Sequence, residues 1–310
     1  MALRAASLRG LTRTLAQRVY VRGMATEKQI ANQIVSTKNI AKITASMKMV
    51  SAAKLKGDET RLASAKPYNA WSDAICGPSQ QVEDATFEDL PKRTLVIPLT
   101  SDKGLCGGIN SFISRATKSI VAKAHADGKE VDIAVIGDKG RAQLVRAAEV
   151  QSLIQQTMTE VESPGTFSLI SSLSADIITV AEKKEYDGIM ILYNSFVNAA
   201  VYKQKYKLIK PFESAGDGES MLEYEFEPDT KSEVLQDMYE YLLTSQMYEC
   251  FMDAAASEQS SRMTAMENAS KNAGEMIEKL TLQYNRARQT RITTELIEII
   301  SGASALEDKD

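Results

Sequence analysis

The stretch Thr281–Leu306, TLQYNRARQTRITTELIEIISGASAL, runs without a helix breaker until Gly302, and the reading of the whole chain turns on it. Leu280, Tyr284 and Ala287 recur at steps of four and three, as do Ile292, Leu296, Ile299 and Ala303, so each set lines one face of a helix. Between the two sets the step widens to five, across Arg288-Gln289-Thr290-Arg291. The apolar seam shifts sideways there, which turns the polar cluster towards a neighbour. Glu295 and Glu298 follow Arg291 at helical spacing as a charged stripe, which on a generic helix is an ordinary solvated face.

Working back from this stretch, the helix extends to about Lys231. Val234, Met238, Tyr241, Ser245, Tyr248, Met252 and Ala255 keep heptad steps, and Pro228-Asp229 precede them. At the other end of the chain, Thr26 to about Cys76 holds no glycine before Gly57 and no proline before Pro67, and Gly77-Pro78 follows it. Ile30, Ile34 and Thr37, then Ile40, Ile43, Met47 and Val50, predict a coiled-coil seam along this helix, with Thr26 and Gln29 as a capping box. At about 1.5 Å per residue, the C-terminal helix would span on the order of 115 Å and the N-terminal one about 75 Å. Helices of such length attached to one domain predict an antiparallel pair rising from it. The C-terminal helix is then longer by roughly 40 Å, and its apolar tip has no second helix of this chain to cover it.

The middle of the chain has a different texture. Thr94–Leu99, Val131–Ile136 and Gly188–Tyr193 are short β-rich runs, separated by helical stretches near Ser111–Ala126, Lys139–Ala148 and Phe167–Lys184. This alternation predicts a parallel sheet with helical crossovers. Tyr202–Leu208 and Tyr224–Phe226 are candidate added strands, with a Gly-rich acidic loop, Ser214–Ser220, between them. The predicted fold is α/β, a long antiparallel coiled coil of the terminal helices plus a central Rossmann-like domain with a mainly parallel sheet. Expected boundaries are 1–25 for a transit peptide, 26–78 for the N-terminal helix, 79–90 for an acidic linker, 91–229 for the α/β domain and 230–310 for the C-terminal helix and tip.

Composition narrows the function classes. The chain is 44% apolar and 25% charged, with only 6% aromatic residues but 13 methionines, a bias towards long helices with small-residue seams. No window approaches eighteen uninterrupted apolar residues, so membrane association would pass through partners. The first segment carries Arg4, Arg9, Arg13, Arg18 and Arg22 and no acid before Glu27, with Leu8, Leu11 and Leu15 on one helical face. That is the pattern of a mitochondrial transit peptide, with a plastid one as runner-up. Its removal leaves 32 basic residues against 41 acidic ones, a net charge of −9, which argues against nucleic acid as a partner. Cys76, Cys106 and Cys250 fit no metal spacing, and His125, the single histidine, lies in a polar stretch that reads as surface. No cofactor is expected.

Ile292-Thr293, Glu295, Glu298, Gly302-Ala303 and Ala305 stand at the spacing I-T-x-E-x-x-E-x-x-x-G-A-x-A, and KNIAKITASMKMVSAAKL occupies Lys38–Leu55. Both resemble the gamma subunits of F-type ATP synthases, as do the loop Ser101–Gly108 (SDKGLCGG) and Glu223–Asp229 (EYEFEPD). The resemblance implies a non-catalytic rotor on the matrix side of the mitochondrial inner membrane, one copy threading a hexamer of three alpha and three beta subunits. It also implies attachment to a c-ring with the small delta and epsilon subunits. It further implies a hydrophobic bearing for Ile292, Leu296, Ile299 and Ala303. Met47 would face the catalytic subunits, and Arg262 with Arg288 and Gln289 would form a catch on their loops, with the signature residues Thr293, Glu295 and Glu298 among the contacts. Arginine suits a catch because its planar fork grips carboxylates bidentately. The foot on the c-ring is expected near Tyr202, Lys207, Glu223, Tyr224 and Asp229, the connections farthest in sequence from the tip.

Two other classes compete. The loop Ser101–Asn110 follows a strand and opens a helix, as a phosphate-binding turn does, but it matches neither G-x-G-x-x-G nor G-x-x-x-x-G-K-[ST]. Cys106 has no identifiable base to activate it as a nucleophile. A coiled-coil scaffold or chaperone-like arm would share the architecture without explaining the motifs at both ends. By residue type alone, Arg262 reads as a surface arginine and Met47 and Met49 as seam fillers.

Overall fold

A computed structural model of the chain describes residues 27–83, 85, 87, 90–211 and 231–307. The expected presequence, the strand expected at Tyr224–Phe226, and Glu223, Tyr224 and Asp229 lie outside the described residues. The chain divides into two compact units, one of Ser46–Glu267 and one of Met1–Ala45 with Asn268–Asp310. The elements run α1 (Glu27–Tyr68), α2 (Ala70–Cys76), β1 (Gln80–Gln81), β2 (Arg93–Pro98), α3 (Ile109–Ala126), β3 (Glu130–Ile136), α4 (Asp138–Leu144), α5 (Ala148–Gln151), β4 (Ile154–Met158), α6 (Phe167–Lys184), β5 (Gly188–Asn198), β6 (Val201–Ile209) and α7 (Lys231–Glu307).

In the first unit the sheet order is β1-β6-β5-β2-β3-β4. β5, β2, β3 and β4 pair in parallel, while β6 returns antiparallel to β5 and carries β1 on its outer edge. The α/β fold with a mainly parallel sheet is thus as the alternating texture predicts. The central strands are apolar without alternation because both faces of the sheet are covered. Val96, Ile133, Val135, Met190 and Leu192 pack on one face with Ile113, Ile120 and Val121 of α3, Leu144 of α4 and Val150 of α5. Leu95, Ile97, Ile136, Ile189, Ile191 and Tyr193 face the other way, onto Ile170 and Ile177 of α6, Leu55 and Leu62 of α1, and Leu243, Met247 and Phe251 of α7. Helix α6 starts where the sequence provides a cap, the Thr166 side chain accepting from Leu169 N–H, and it ends on Glu185 in the left-handed region after Lys183 and Lys184.

Several expectations are corrected. β4 was not expected: its IQQTM sequence carries only two apolar residues, enough for an edge strand paired on one side. The stretch expected to be one helix, Lys139–Ala148, is the two short helices α4 and α5. Residues 79–90 are more than a linker, since Gln80–Gln81 joins the sheet and Phe87 and Leu90 are buried. The N-terminal helix does not run unbroken to Cys76: Pro67 sits in its last turn, and Asn69, at φ −92 and ψ 1, separates it from α2.

The seam of α1 is also displaced. Its buried positions are Ile30, Thr37 and Thr44 in one unit and Ser51, Leu55, Asp58, Leu62 and Ala65 in the other. Ile40, Ile43 and Val50 are more than half exposed, and Met47 is half-buried. The heptad phase of Ile30, Ile34 and Thr37 continues through Ala41, Thr44, Lys48 and Ser51, so the seam takes small and polar residues and turns the isoleucines outward. Antiparallel pairing of α1 with α7 is marked in one unit by Glu27 with Arg291 at 2.9 Å and in the other by Lys48 with Glu267 at 2.8 Å. Among the described residues no helix is long and apolar enough to cross a membrane.

Candidate functional site

The end of α7 is the first candidate surface. Ala273 is buried and Ile277, Leu280, Tyr284 and Ala287 are half-buried, which confirms the first of the two apolar sets as the seam against α1. Arg291 takes the next seam position, and its Nε lies 2.9 Å from Glu27 and 3.8 Å from Glu295. An ion pair thus closes the coil where α1 begins. From Arg288 through Ser304 every residue of α7 is exposed. At 3.6 residues per turn, Ile292, Leu296, Ile297, Ile299, Ile300 and Ala303 share one broad arc, with Glu295 at its edge and Glu298 across the helix from it. Ile299 is 69% exposed and Leu296 55%, and no described segment covers either. The Thr293 hydroxyl donates to the Gln289 carbonyl at 2.9 Å, which keeps it on its own helix, while the Arg288 and Gln289 side chains project freely.

Arg262 differs from its residue-type expectation. It is only 7% exposed, and its guanidinium donates to Glu258 one turn back and to Gln259 Oε1 at 3.0 Å. As a surface arginine it is corrected: the group is buried and already bonded. Met47 lies half-buried on α1, next to Lys48, whose ammonium is held by Glu267.

Of the expected foot residues, Tyr202 and Lys207 are described, both on β6. Tyr202 is half-buried against Phe112 and shares a hydrogen bond with Ser261, well along α7. Lys207 is buried, with its ammonium 2.9 Å from Asp73 and 2.6 Å from Glu249. Burial works against its charge, and the neighbouring Cys250 sulfur, Glu249 and Asp73 more than reverse that, so its pKa lies above the ordinary lysine range. The ammonium of Lys207 is thus engaged within this chain, an arrangement that gives no support to it as a c-ring contact.

The loop after β2 ends at the crevice where doubly wound sheets hold ligands. Thr100, Ser101, Asp102, Asn110 and Gly137 line it, but so do Phe251, Ala254, Ala255 and Glu258 of α7. What remains is a cavity of about 50 Å³, room for water and far below the several hundred Å³ of a ligand pocket. Gly137, at φ +100, permits the close turn here, since a Cβ would stand 2.1 Å from the Thr100 carbonyl oxygen. Cys106 is buried beside Ser101 and Asn110, and burial raises its thiol pKa, the reverse of an activated nucleophile. The loop is therefore structural, docked on α7 through Ser261, which donates to the Cys106 carbonyl at 2.6 Å. Among the described residues no group of His, Cys, Asp and Glu could hold a metal ion.

Residue-type reasoning missed one feature, a buried polar stripe on α7 formed by Gln246, Glu249, Asp253, Ser257, Ser260 and Ser261. Their steps of three and four within SQMYECFMDAAASEQSS were the available signal, masked by the heptad read through Ser245, Met252 and Ala255.

Comparison with known proteins agrees with the architecture. A family model described as ATP synthase matches residues 26–306. A rat protein, ATP synthase F(1) complex subunit gamma, mitochondrial, is 42% identical over 284 residues, covering 91% of this chain and all of its own length. The central stalk and c-ring structure of the Tetrahymena thermophila mitochondrial ATP synthase contains a chain 28% identical, with a TM-score of 0.58 over 74% of this chain and 99% of that one. A chain of the Euglena gracilis mitochondrial ATP synthase, at 19% identity, shares the fold with a TM-score of 0.72 over 90% of this chain and 94% of its own. With motifs at both ends, a ligand crevice filled by its own helix and relatives of this identity, the chain belongs to the gamma-subunit family of the ATP synthase.

Proposed function

We propose that this chain is the central shaft of a mitochondrial F-type ATP synthase, a single non-catalytic copy turning inside a hexamer of three alpha and three beta subunits on the matrix side of the inner membrane. The observation that carries this reading is the uncovered end of α7. An apolar arc from Ile292 to Ala303, covered by no described segment on a helix whose pairing with α1 is marked last by Arg291, supports a sleeve made by other chains. The relatives add the setting, since the Tetrahymena structure pairs a central stalk with a c-ring. On this reading the α/β domain rides on the c-ring with the delta and epsilon subunits, and proton flow turns it.

The mechanism is a coupling of conformations. For rotation to drive product release, the shaft must make different contact energies with each beta conformer, or turning it would shift no equilibrium. Arg288, Gln289, Thr293, Glu295 and Glu298 are exposed polar groups of the same tip and are the contacts proposed to differ between orientations; Met47 is proposed as a further one. Arg262 serves as a catch only if another chain's carboxylate competes with Glu258 for its guanidinium. Catalysis belongs to the other chains, as the closed crevice of the sheet supports. The test is a pull-down of the tagged chain from mitochondria. Retention of alpha, beta and c subunits is expected, and recovery of a ring of this chain alone would sink the reading.

A further inference from the structure

We propose that Gln246, Glu249, Asp253, Ser257, Ser260 and Ser261 of α7 act as a spline, fixing the rotational and axial register of this helix on the α/β domain so that torque passes between them without slip. The inference rests on the shaft reading above and names the residues that a shaft needs where its drive enters.

All six reach groups outside α7. Gln246 donates to Ser72 Oγ at 2.6 Å and Asp73 Oδ1 at 3.1 Å. Glu249 accepts from Lys207 at 2.6 Å and from Asn69 Nδ2 at 3.3 Å. Asp253 accepts from the Phe196 backbone N–H at 2.7 Å. Ser257 donates to the Asn194 carbonyl at 2.9 Å, Ser260 to the Ala199 carbonyl at 2.8 Å, and Ser261 to the Cys106 carbonyl at 2.6 Å. Asp253 and the three serines each bond a backbone group that the sheet or the docked loop holds in place, while Ser195 also donates to Asp253 and Tyr202 shares a hydrogen bond with Ser261. Gly107 allows that loop its approach, since a Cβ there would lie 3.3 Å from Ser261 Oγ.

The physical case is one of directionality. Apolar burial scales with area and is non-directional, so by itself it favours contact between helix and sheet more than any one register. Hydrogen bonds weaken steeply with misalignment, and a slip of one residue along α7, about 1.5 Å with a turn of about 100°, would break all six sets at once. Apolar side chains at these buried positions would hold the helix without specifying its register; polar ones at a seam do specify it.

The test uses the assembled complex with the hexamer fixed to a surface and a probe on the α/β domain. With Ser257→Ala, Ser260→Ala and Ser261→Ala combined, the complex is expected to assemble, and the variance of probe angle during pauses to widen about twofold, because three directional bonds to the domain are lost. Asp253→Leu is expected to widen it too, while Asp253→Asn, which keeps the acceptor for Phe196 N–H, restores the narrow distribution. Thr60→Ala, Ser64→Ala and Thr281→Ala remove hydroxyls bonded only to their own helices and serve as the control. Unchanged variance in the serine variant and Asp253→Leu, or equal widening in the control, would overturn the spline. A wild-type complex that hydrolyses ATP without moving the probe would instead overturn the shaft reading, and the spline with it.

Discussion

Lys207 sits in a strand whose alternation would leave it at the surface, yet it is 5% exposed because two carboxylates meet its ammonium there. Replacing it by Met keeps the stem's packing and strands Glu249 with the partly exposed Asp73. A loss of about 2–3 kcal/mol is expected, read as a lower melting temperature, because removing one partner of a buried pair leaves an uncompensated charge. Cys76 offers a test of a different kind. Burial pushes its thiol up to about 11, with Lys207 pulling the other way, so thiolate is scarce near neutrality. Its alkylation by iodoacetamide in the native protein is expected to be slow at pH 8 and to rise about tenfold per pH unit towards pH 11. Mass spectrometry of the labelled chain checks this, and rapid labelling of Cys76 at neutral pH would contradict the assigned burial. Neither environment was legible from residue type, since each is made by neighbours distant in sequence.

At the scale of elements, what the sequence reveals depends on who covers each face. The seam Leu280, Tyr284 and Ala287 could be read because its partner is this chain's own α1, and β2, β3 and β5 because a sheet covered on both faces needs continuous apolar runs. The α1 seam could not be read correctly. Thr37, Thr44 and Ser51 are buried while Ile40 and Ile43 face out, so hydrophobicity marked the wrong stripe. β4 escaped notice for want of apolar residues, and the role of Asn69, between α1 and α2, because its buried bond to the Ser245 carbonyl on α7 joins residues distant in sequence. The tip supplies the prediction at this scale. Ile292→Asp with Ile299→Asp is expected to leave thermal stability within about 0.5 kcal/mol, because both side chains are exposed on α7. The same pair is expected to weaken assembly with the alpha and beta subunits by about tenfold or more, as burial of two charges in an apolar sleeve demands. Loss of stability without loss of assembly would show that the arc is covered by this chain.

For the whole molecule, identity was legible because the motifs that carry the family resemblance lie at both ends of the chain, in α1 and α7. The foot was inferred only from sequence distance to the tip: of its expected residues Tyr202 lies beside Ser261 of α7 and Lys207 is buried, while Glu223, Tyr224 and Asp229 lie outside the described residues. The polar stripe from Gln246 to Ser261 gives the molecule a defined joint between its sheet and its longest helix. The central claim is that this chain turns as one shaft while its partners stand still. It is tested most directly by fixing the hexamer, placing a probe on the α/β domain and adding ATP. Sustained rotation of the probe in one direction is predicted; ATP hydrolysis with the probe stationary would contradict it.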